Sequence, residues 1–272
     1  MPELPEVETI RLSLEPQLKN QIITGGAVLF PKLIQSLSSD QFLAALTGKK
    51  ILKLERRGKY LQIHLAGKNI LMVHLRMTGQ LVIEAPADPI VKATHLRLHL
   101  NGGSELRYRD QRKFGRIWLI KDAELADFFR KMGPEPLADH FTPEILAQQL
   151  SRHRLAIKKA LLNQEIIAGL GNIYADEALF LAGIHPARET DTLSREELEK
   201  LFTAIRRVLQ EGIEYRGTTK RDYCDGEGNP GAYQERLRVY GRKGQACLQC
   251  GNMIVKMTLG GRGTHFCPLC QA

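Results

Sequence analysis

Hydrophobic residues recur along this chain at two spacings, and one gives way to the other near the middle. Val7, Ile10, Leu14 and Leu18 lie three or four apart, which predicts a helix within 2–20. Pro5 suits its first turn, and Pro16 should end or kink it. Short apolar runs separated by Gly, Asn and Lys follow at 21–30, 50–55, 60–65, 69–74, 80–84, 95–100, 105–109 and 116–120. Several alternate strictly, as in His95-Leu96-Arg97-Leu98-His99-Leu100, the two-residue period of a half-buried strand. Eight such runs predict a β-sandwich or barrel.

The period changes after Gly133-Pro134-Glu135-Pro136, a stiff joint. Thr142 can cap a helix that opens at Pro143. Ser194-Arg195-Glu196-Glu197 reads as a capping box ahead of Leu198, Leu201, Phe202, Ile205, Val208, Leu209 and Ile213, a helical core stripe. A loop rich in Gly, Asp and Thr covers 216–232. The expected fold class is α+β: an N-terminal β-sandwich over 1–132 with flanking helices, a helical domain over 133–236, and a cysteine module over 237–272.

That module changes the picture. Four of the five cysteines fall in the last 26 of 272 residues, as Cys247-x2-Cys250 and Cys267-x2-Cys270. Two such knuckles can present four thiolates to one ion, and four leave no position open for substrate, so a single structural zinc is expected. The segment between them should be a hairpin, with 253–258 as a strand and Leu259-Gly260-Gly261-Arg262-Gly263 as its turn. At that turn Arg262 could be an ordinary exposed residue, or glycines could bring its guanidinium against phosphate.

Charge points the same way more weakly. Lys and Arg outnumber Asp and Glu by 39 to 30, a formal +9 that favours a polyanionic partner. No run approaches the roughly 18 apolar residues of a membrane helix. With no basic, then apolar, leader segment visible, a cytoplasmic protein is the expectation.

The sequence opens Met1-Pro2-Glu3-Leu4-Pro5-Glu6. Loss of Met1 would expose a proline secondary amine. An α-amine titrates near ~8 against ~10.4 for lysine, so it offers far more free base at neutral pH. Attack on a sugar C1′ gives an iminium that is cationic without protonation, and Glu3 and Glu6 could move protons beside it. A helix start with acids complementing its dipole accounts for the same residues.

These residues resemble the N-terminus of bacterial formamidopyrimidine-DNA glycosylases. Further motifs of that family follow in order. They are Arg56-Arg57-Gly58-Lys59-Tyr60, His74-Leu75-Arg76-Met77-Thr78-Gly79, Asp110-Gln111-Arg112-Lys113-Phe114-Gly115, Gly133-Pro134-Glu135-Pro136-Leu137, Gly169-Leu170-Gly171-Asn172-Ile173-Tyr174-Ala175-Asp176-Glu177 and Gly261-Arg262-Gly263-Thr264-His265-Phe266-Cys267-Pro268. The resemblance spans essentially the whole chain. It implies duplex DNA held between the β-sandwich and a helix-two-turns-helix domain, whose turn falls at 169–173. It also implies base excision repair of 8-oxoguanine and formamidopyrimidines, by a monomer that flips the damaged nucleotide and nicks the strand by β- and δ-elimination. Such an enzyme would be cytoplasmic in a bacterium and associated with the nucleoid in use.

Roles carry over by position. Pro2 would be the nucleophile and Glu3 the principal acid/base, with Glu6 in support. Lys59 would assist β-elimination, and Arg262 δ-elimination and phosphate binding. Met77, Arg112 and Phe114 would fill the gap left by the flipped base, although by hydrophobicity alone Met77 and Phe114 read as core. Asn172 and a member of Arg152-His153-Arg154, with His153 preferred, would bind the DNA backbone.

The chain departs from the pattern at Arg152-His153-Arg154, where relatives have a lysine-rich run, and at two further positions. Ala93 stands where the family often has a DNA-contacting histidine, and Thr78 where some relatives have Glu. Cys224, in the loop that covers the flipped base in relatives, reads as a free thiol. Two other readings compete. An endonuclease-VIII-like glycosylase for oxidised pyrimidines is opposed by Leu4, Arg112 and Phe114. A non-catalytic zinc-ribbon DNA-binding protein would have no use for Pro2, Glu3 and Lys59 together.

Overall fold

A computed structural model describes residues 1–219 and 222–272, which form two compact units. The first comprises 1–130 together with 215–232, and the second 131–214 together with 233–272.

The first unit opens with helix α1 (Leu4–Leu18), which keeps Pro5 in its first turn and Pro16 in its last. Pro16 lacks the N–H that would bond the carbonyl four residues back, and the helix ends two residues later. All eight apolar runs form strands: β1 (Ile23–Val28), β2 (Ile51–Arg57), β3 (Tyr60–Leu65), β4 (Asn69–His74), β5 (Gly79–Glu84), β6 (Thr94–Leu100), β7 (Glu105–Asp110) and β8 (Arg116–Lys121). They make two antiparallel sheets, ordered β1-β6-β7-β5 and β2-β3-β4-β8. The inward residues of both sheets meet in one core: Leu61, Ile63, Leu71 and Val73 from one, Leu81, Leu96, Leu98 and Leu106 from the other. Val7, Ile10, Leu14 and Leu18 of α1 enter the same core, each at most 1% exposed. Two short helices have no clear sequence stripe: α2 (Ser39–Leu46), capped by Ser38, and the single turn α3 (Leu125–Phe128).

The second unit holds α4 (Pro143–Ser151), α5 (Ile157–Leu162), α6 (Asn172–Ala182), α7 (Arg195–Glu214) and the hairpin β9 (Val255–Leu259) and β10 (Arg262–Phe266). Thr142 accepts the Ile145 amide and Ser194 the Glu197 amide, so both expected N-caps form. The hairpin turn is tighter than the five-residue turn read from sequence. Gly260 and Gly261 alone make it, both with positive φ, and Arg262 already pairs with Leu259 as the first residue of β10.

Two boundaries fall elsewhere than the sequence pattern puts them. The loop 215–232 is bonded into the first unit: Thr218 N donates to Glu6 Oε1 at 2.8 Å, Gly226 N to Ser13 Oγ at 2.9 Å, and Ile83 N to the Gly226 carbonyl at 3.1 Å. The cysteine module packs with the helices of the second unit, its Val239, Cys247, Ile254 and Cys267 joining Phe180 of α6.

Candidate functional site

In the first unit, functional side chains gather at the start of α1. Pro2 is buried, and Glu3 and Glu6 are only 3% and 2% exposed. Burying carboxylates is costly unless donors meet them. The Glu3 amide donates to Glu6 Oε2 at 2.8 Å, and the Thr218 amide to Glu6 Oε1 at 2.8 Å. Gly217, at φ +82°, makes this approach possible, since a Cβ there would stand 2.9 Å from Glu6 Cγ. The Tyr223 hydroxyl donates to the Arg216 carbonyl at 3.0 Å on the same loop.

Lys59 lies in the two-residue turn between β2 and β3, where Arg57 pairs with Tyr60 and Gly58 takes the positive-φ position. It is 5% exposed, unlike a solvated lysine after a basic turn. Arg56 ties this turn to α1. Its Nε donates to Glu8 Oε2 at 3.1 Å and its Nη1 to the Gly58 carbonyl at 3.0 Å. Paired arginines hold the Glu8 carboxyl below the usual range despite its burial, so the bridge is ionic at neutral pH. His74, on β4 opposite Tyr60, is pushed down to about 3 by burial first and by the Arg76 and Lys59 charges next. It stays neutral and accepts the Arg76 amide at 3.0 Å.

Met77 and Phe114 are not core residues. They are 39% and 45% exposed, and Arg112 joins them, its Nη1 3.0 Å from Met77 Sδ and its guanidinium 4.7 Å from the Phe114 ring centroid. Hydrophobicity alone could not separate exposed from buried here. An apolar pair standing in water around an arginine has the chemistry to enter an unstacked base step.

In the second unit, exposed Arg262 begins β10, and Asn172 begins α6 with its Nδ2 donating to the Gly263 carbonyl at 2.9 Å. Two residues quoted in the sequence motif without a role prove structural. Fully buried Asp176 pairs with buried Lys158 and accepts the His265 amide at 2.9 Å. Glu177 accepts the amides of Arg238, Val239 and Tyr240 at 2.8, 2.9 and 2.9 Å. His153 is half-buried after α4, while Arg154 is held by Glu189 at 3.1 Å and Asp191 at 3.3 Å.

The four Sγ atoms of Cys247, Cys250, Cys267 and Cys270 lie within 4.8 Å of one another. Two of the separations are 3.9 and 3.5 Å. Tetrahedral zinc with bonds of about 2.3 Å requires sulfurs about 3.8 Å apart, so the set fits one ion. Zinc there holds the hairpin and supplies no reactive position. Cys224 is a free, half-buried thiol, its pKa raised chiefly by burial. Ala93 is buried, and its carbonyl accepts the Asp110 amide at 2.9 Å.

Three family models match in succession. They are the formamidopyrimidine-DNA glycosylase N-terminal domain over 1–117, the H2TH domain of the same enzymes over 132–223, and a zinc finger found in FPG and IleRS over 244–272. A formamidopyrimidine-DNA glycosylase of Pelotomaculum thermopropionicum is 50% identical, covering 100% of this chain and 99% of the relative. One from Carboxydothermus hydrogenoformans is 47% identical over the full length of both. Among solved structures, a Lactococcus lactis FPG mutant in complex with Fapy-dG-containing DNA superposes with a TM-score of 0.94 at 39% identity, covering 99% of each chain. The L. lactis Fpg complex with abasic-site DNA gives 0.93 at 38%, again covering 99% of each chain. Buried acids at the first helix, a four-cysteine hairpin and full-length likeness converge: the chain belongs to the formamidopyrimidine-DNA glycosylase family, the DNA glycosylases of base excision repair.

Proposed function

We propose that this enzyme excises oxidised purines, 8-oxoguanine and formamidopyrimidines, from duplex DNA through the Pro2 amine, and then nicks the strand by β- and δ-elimination. The observation that carries the reading is the burial of Glu3 and Glu6 beside Pro2 at the head of α1. With Met1 removed, the proline nitrogen has a lone pair. As N–C1′ forms, the bond from C1′ to the base breaks, and the base leaves with the electron pair and gains a proton. Glu3 delivers a proton to O4′ as the sugar ring opens, leaving an iminium. Loss of the 2′ proton expels the 3′ phosphate, a second elimination expels the 5′ phosphate, and water then releases the amine.

Within this scheme Glu6 fixes the geometry, since its oxygens are engaged by the Glu3 and Thr218 amides. Lys59 assists β-elimination, and Arg262 binds phosphate and assists δ-elimination. Met77, Arg112 and Phe114 fill the vacated stack, offsetting the few kcal/mol that base eversion costs. Asn172 and His153 hold the backbone. The enzyme acts as a monomer in the bacterial cytoplasm and nucleoid. No helix among the described residues is long and apolar enough to cross a membrane. The exposed Met77, Arg112 and Phe114 cluster favours this substrate class over oxidised pyrimidines.

Borohydride trapping tests the reading. Protein verified by mass to begin at Pro2 should form a covalent adduct with 8-oxoguanine duplex, and protein retaining Met1 should bind the lesion yet neither excise nor nick. Glu3→Gln should lose most base excision while an existing abasic site is still cut. Normal excision by verified Met1-retaining protein would overturn the assignment and make Lys59 the candidate nucleophile.

A further inference from the structure

We propose that Thr78 and Asp110 form a latch that joins two turns into one body, making them positioning residues for Met77, Arg112 and Phe114. One turn, 75–78 between β4 and β5, carries Met77. The other, 111–115 between β7 and β8, carries Arg112 and Phe114. The inference rests on reading those three side chains as the group that fills the vacated base stack.

Hydrogen bonds from both turns converge on Asp110, which is 1% exposed at the end of β7. The Thr78 hydroxyl donates to Asp110 Oδ1, closing the gap between the turns. The Arg112 amide is shared by Thr78 Oγ1 and Asp110 Oδ1, at 3.1 Å each. The Gly115 amide donates to Asp110 Oδ2 at 2.8 Å. One carboxylate therefore brackets Phe114 from both sides and reaches across to the residue after Met77. The main chain of Asp110 is engaged too: its amide donates to the Ala93 carbonyl at 2.9 Å, and its carbonyl is 2.8 Å from His95 Nε2. The anchor is thus part of the sheet, not of either turn.

Both turns need such an anchor. Each holds a non-glycine residue in the left-handed region, Arg76 at φ 56° and Lys113 at φ 57°, conformations kept only where surroundings enforce them. Both also sit on the Tyr108 hydroxyl. A Cβ on Gly79 would come within 2.4 Å of it and one on Gly115 within 1.5 Å. The two turns rest on one fully buried tyrosine and share one carboxylate, so Met77, Arg112 and Phe114 keep their spacing when a base leaves the stack. The Thr78 hydroxyl both donates and accepts at this junction.

Single-turnover excision of 8-oxoguanine opposite cytosine separates positioning from general damage. It is run on a fully paired duplex and on the same strand with the lesion inside a short mismatched bubble, where the base is already unstacked. Thr78→Val, which removes the hydroxyl and keeps the shape, should slow excision about tenfold in the duplex and much less in the bubble. Thr78→Ser should restore the wild-type ratio. Asp110→Asn, which sets an amide N–H against a backbone N–H, should repeat the duplex-specific loss and serves if Thr78→Val folds poorly. Equal losses on both substrates, or no loss in either variant, would overturn the latch. Phe114→Ala is the control for the underlying reading. If it shows no duplex-specific loss, the stack-filling role fails. If it does and both latch variants do not, only the latch fails.

Discussion

The Asn172 side-chain amide donates to the Gly263 carbonyl across 2.9 Å, so the first residue of α6 and the second residue of β10 are held as one element beside Arg262. This pairing sets a helix N-terminus beside an arginine, which is the basis on which phosphate binding is proposed for Asn172 and Arg262.

Salt dependence should report this arrangement. Affinity for lesion duplex should fall with salt at a log–log slope of about −0.9 per phosphate neutralised, and Arg262→Ala should shrink that slope by about one. Asn172→Ala should weaken binding about fivefold without changing the slope, because it removes no charge. A slope untouched by Arg262→Ala would mean that this side chain makes no phosphate contact.

Metal removal should act through the same hairpin. Bound zinc should measure about one per chain by atomic emission, and a strong chelator or Cys250→Ser should release it with loss of DNA binding. Without the ion the hairpin keeps the five residue pairs between β9 and β10, the packing of Val239, Ile254 and Phe180, and the bonds that tie β10 to Asn172 and Asp176. Full zinc content in Cys250→Ser would remove that cysteine from the ligand set.

His74 should make the enzyme lose stability in mild acid. Its folded pKa, pushed down to about 3, lies below the ordinary 6.5. The unfolded chain therefore takes up a proton from about pH 6.5 downward while the folded protein does not, and stability falls as pH drops through that window. The group's contribution is about 2 kcal/mol at pH 5 relative to pH 7.5. His74→Gln, whose carbonyl can still accept the Arg76 amide, should flatten that part of the profile in denaturant titrations at several pH values. An unchanged pH dependence would show that the imidazole titrates normally.

Glu177 should be a stability determinant rather than a catalytic one. Its buried carboxylate accepts three successive backbone amides at 238–240, which lie outside the strands. Glu177→Gln presents an N–H to donors and should cost about 1–3 kcal/mol, read as a lowered Tm. Glycosylase activity per folded molecule should persist at low temperature. Loss of activity without loss of Tm would point to a direct role.

Much of this was legible in the chain because the signals are local. Each of the eight strands has an apolar period of two or an apolar run bounded by turn residues, and the two cysteine pairs together have the spacing of a four-thiolate metal site. The helix α2 has just eight residues with Phe42 and Leu46 inward, too short for periodicity to stand out. The allegiance of 215–232 depends on Glu6 and Ser13, some two hundred positions away, and no local pattern encodes such a contact. Met77 and Phe114 look like core because composition does not record exposure. Their position shows only once the turns on Tyr108 and Asp110 are in place.

The excursion of 215–232 back to the first unit also decides how the protein can be divided. The chain passes between units at 130/131, 214/215 and 232/233, so neither unit is one continuous stretch of polypeptide. A fragment ending at the proline-rich joint would carry Pro2, Glu3 and Lys59 yet lack the Thr218 amide that Glu6 requires. One proteolytic cut at that joint, by contrast, leaves 215–232 covalently joined to the second unit and still bonded to Glu6, Ser13 and Ile83 of the first. Nicked enzyme can therefore survive where a separately expressed half cannot.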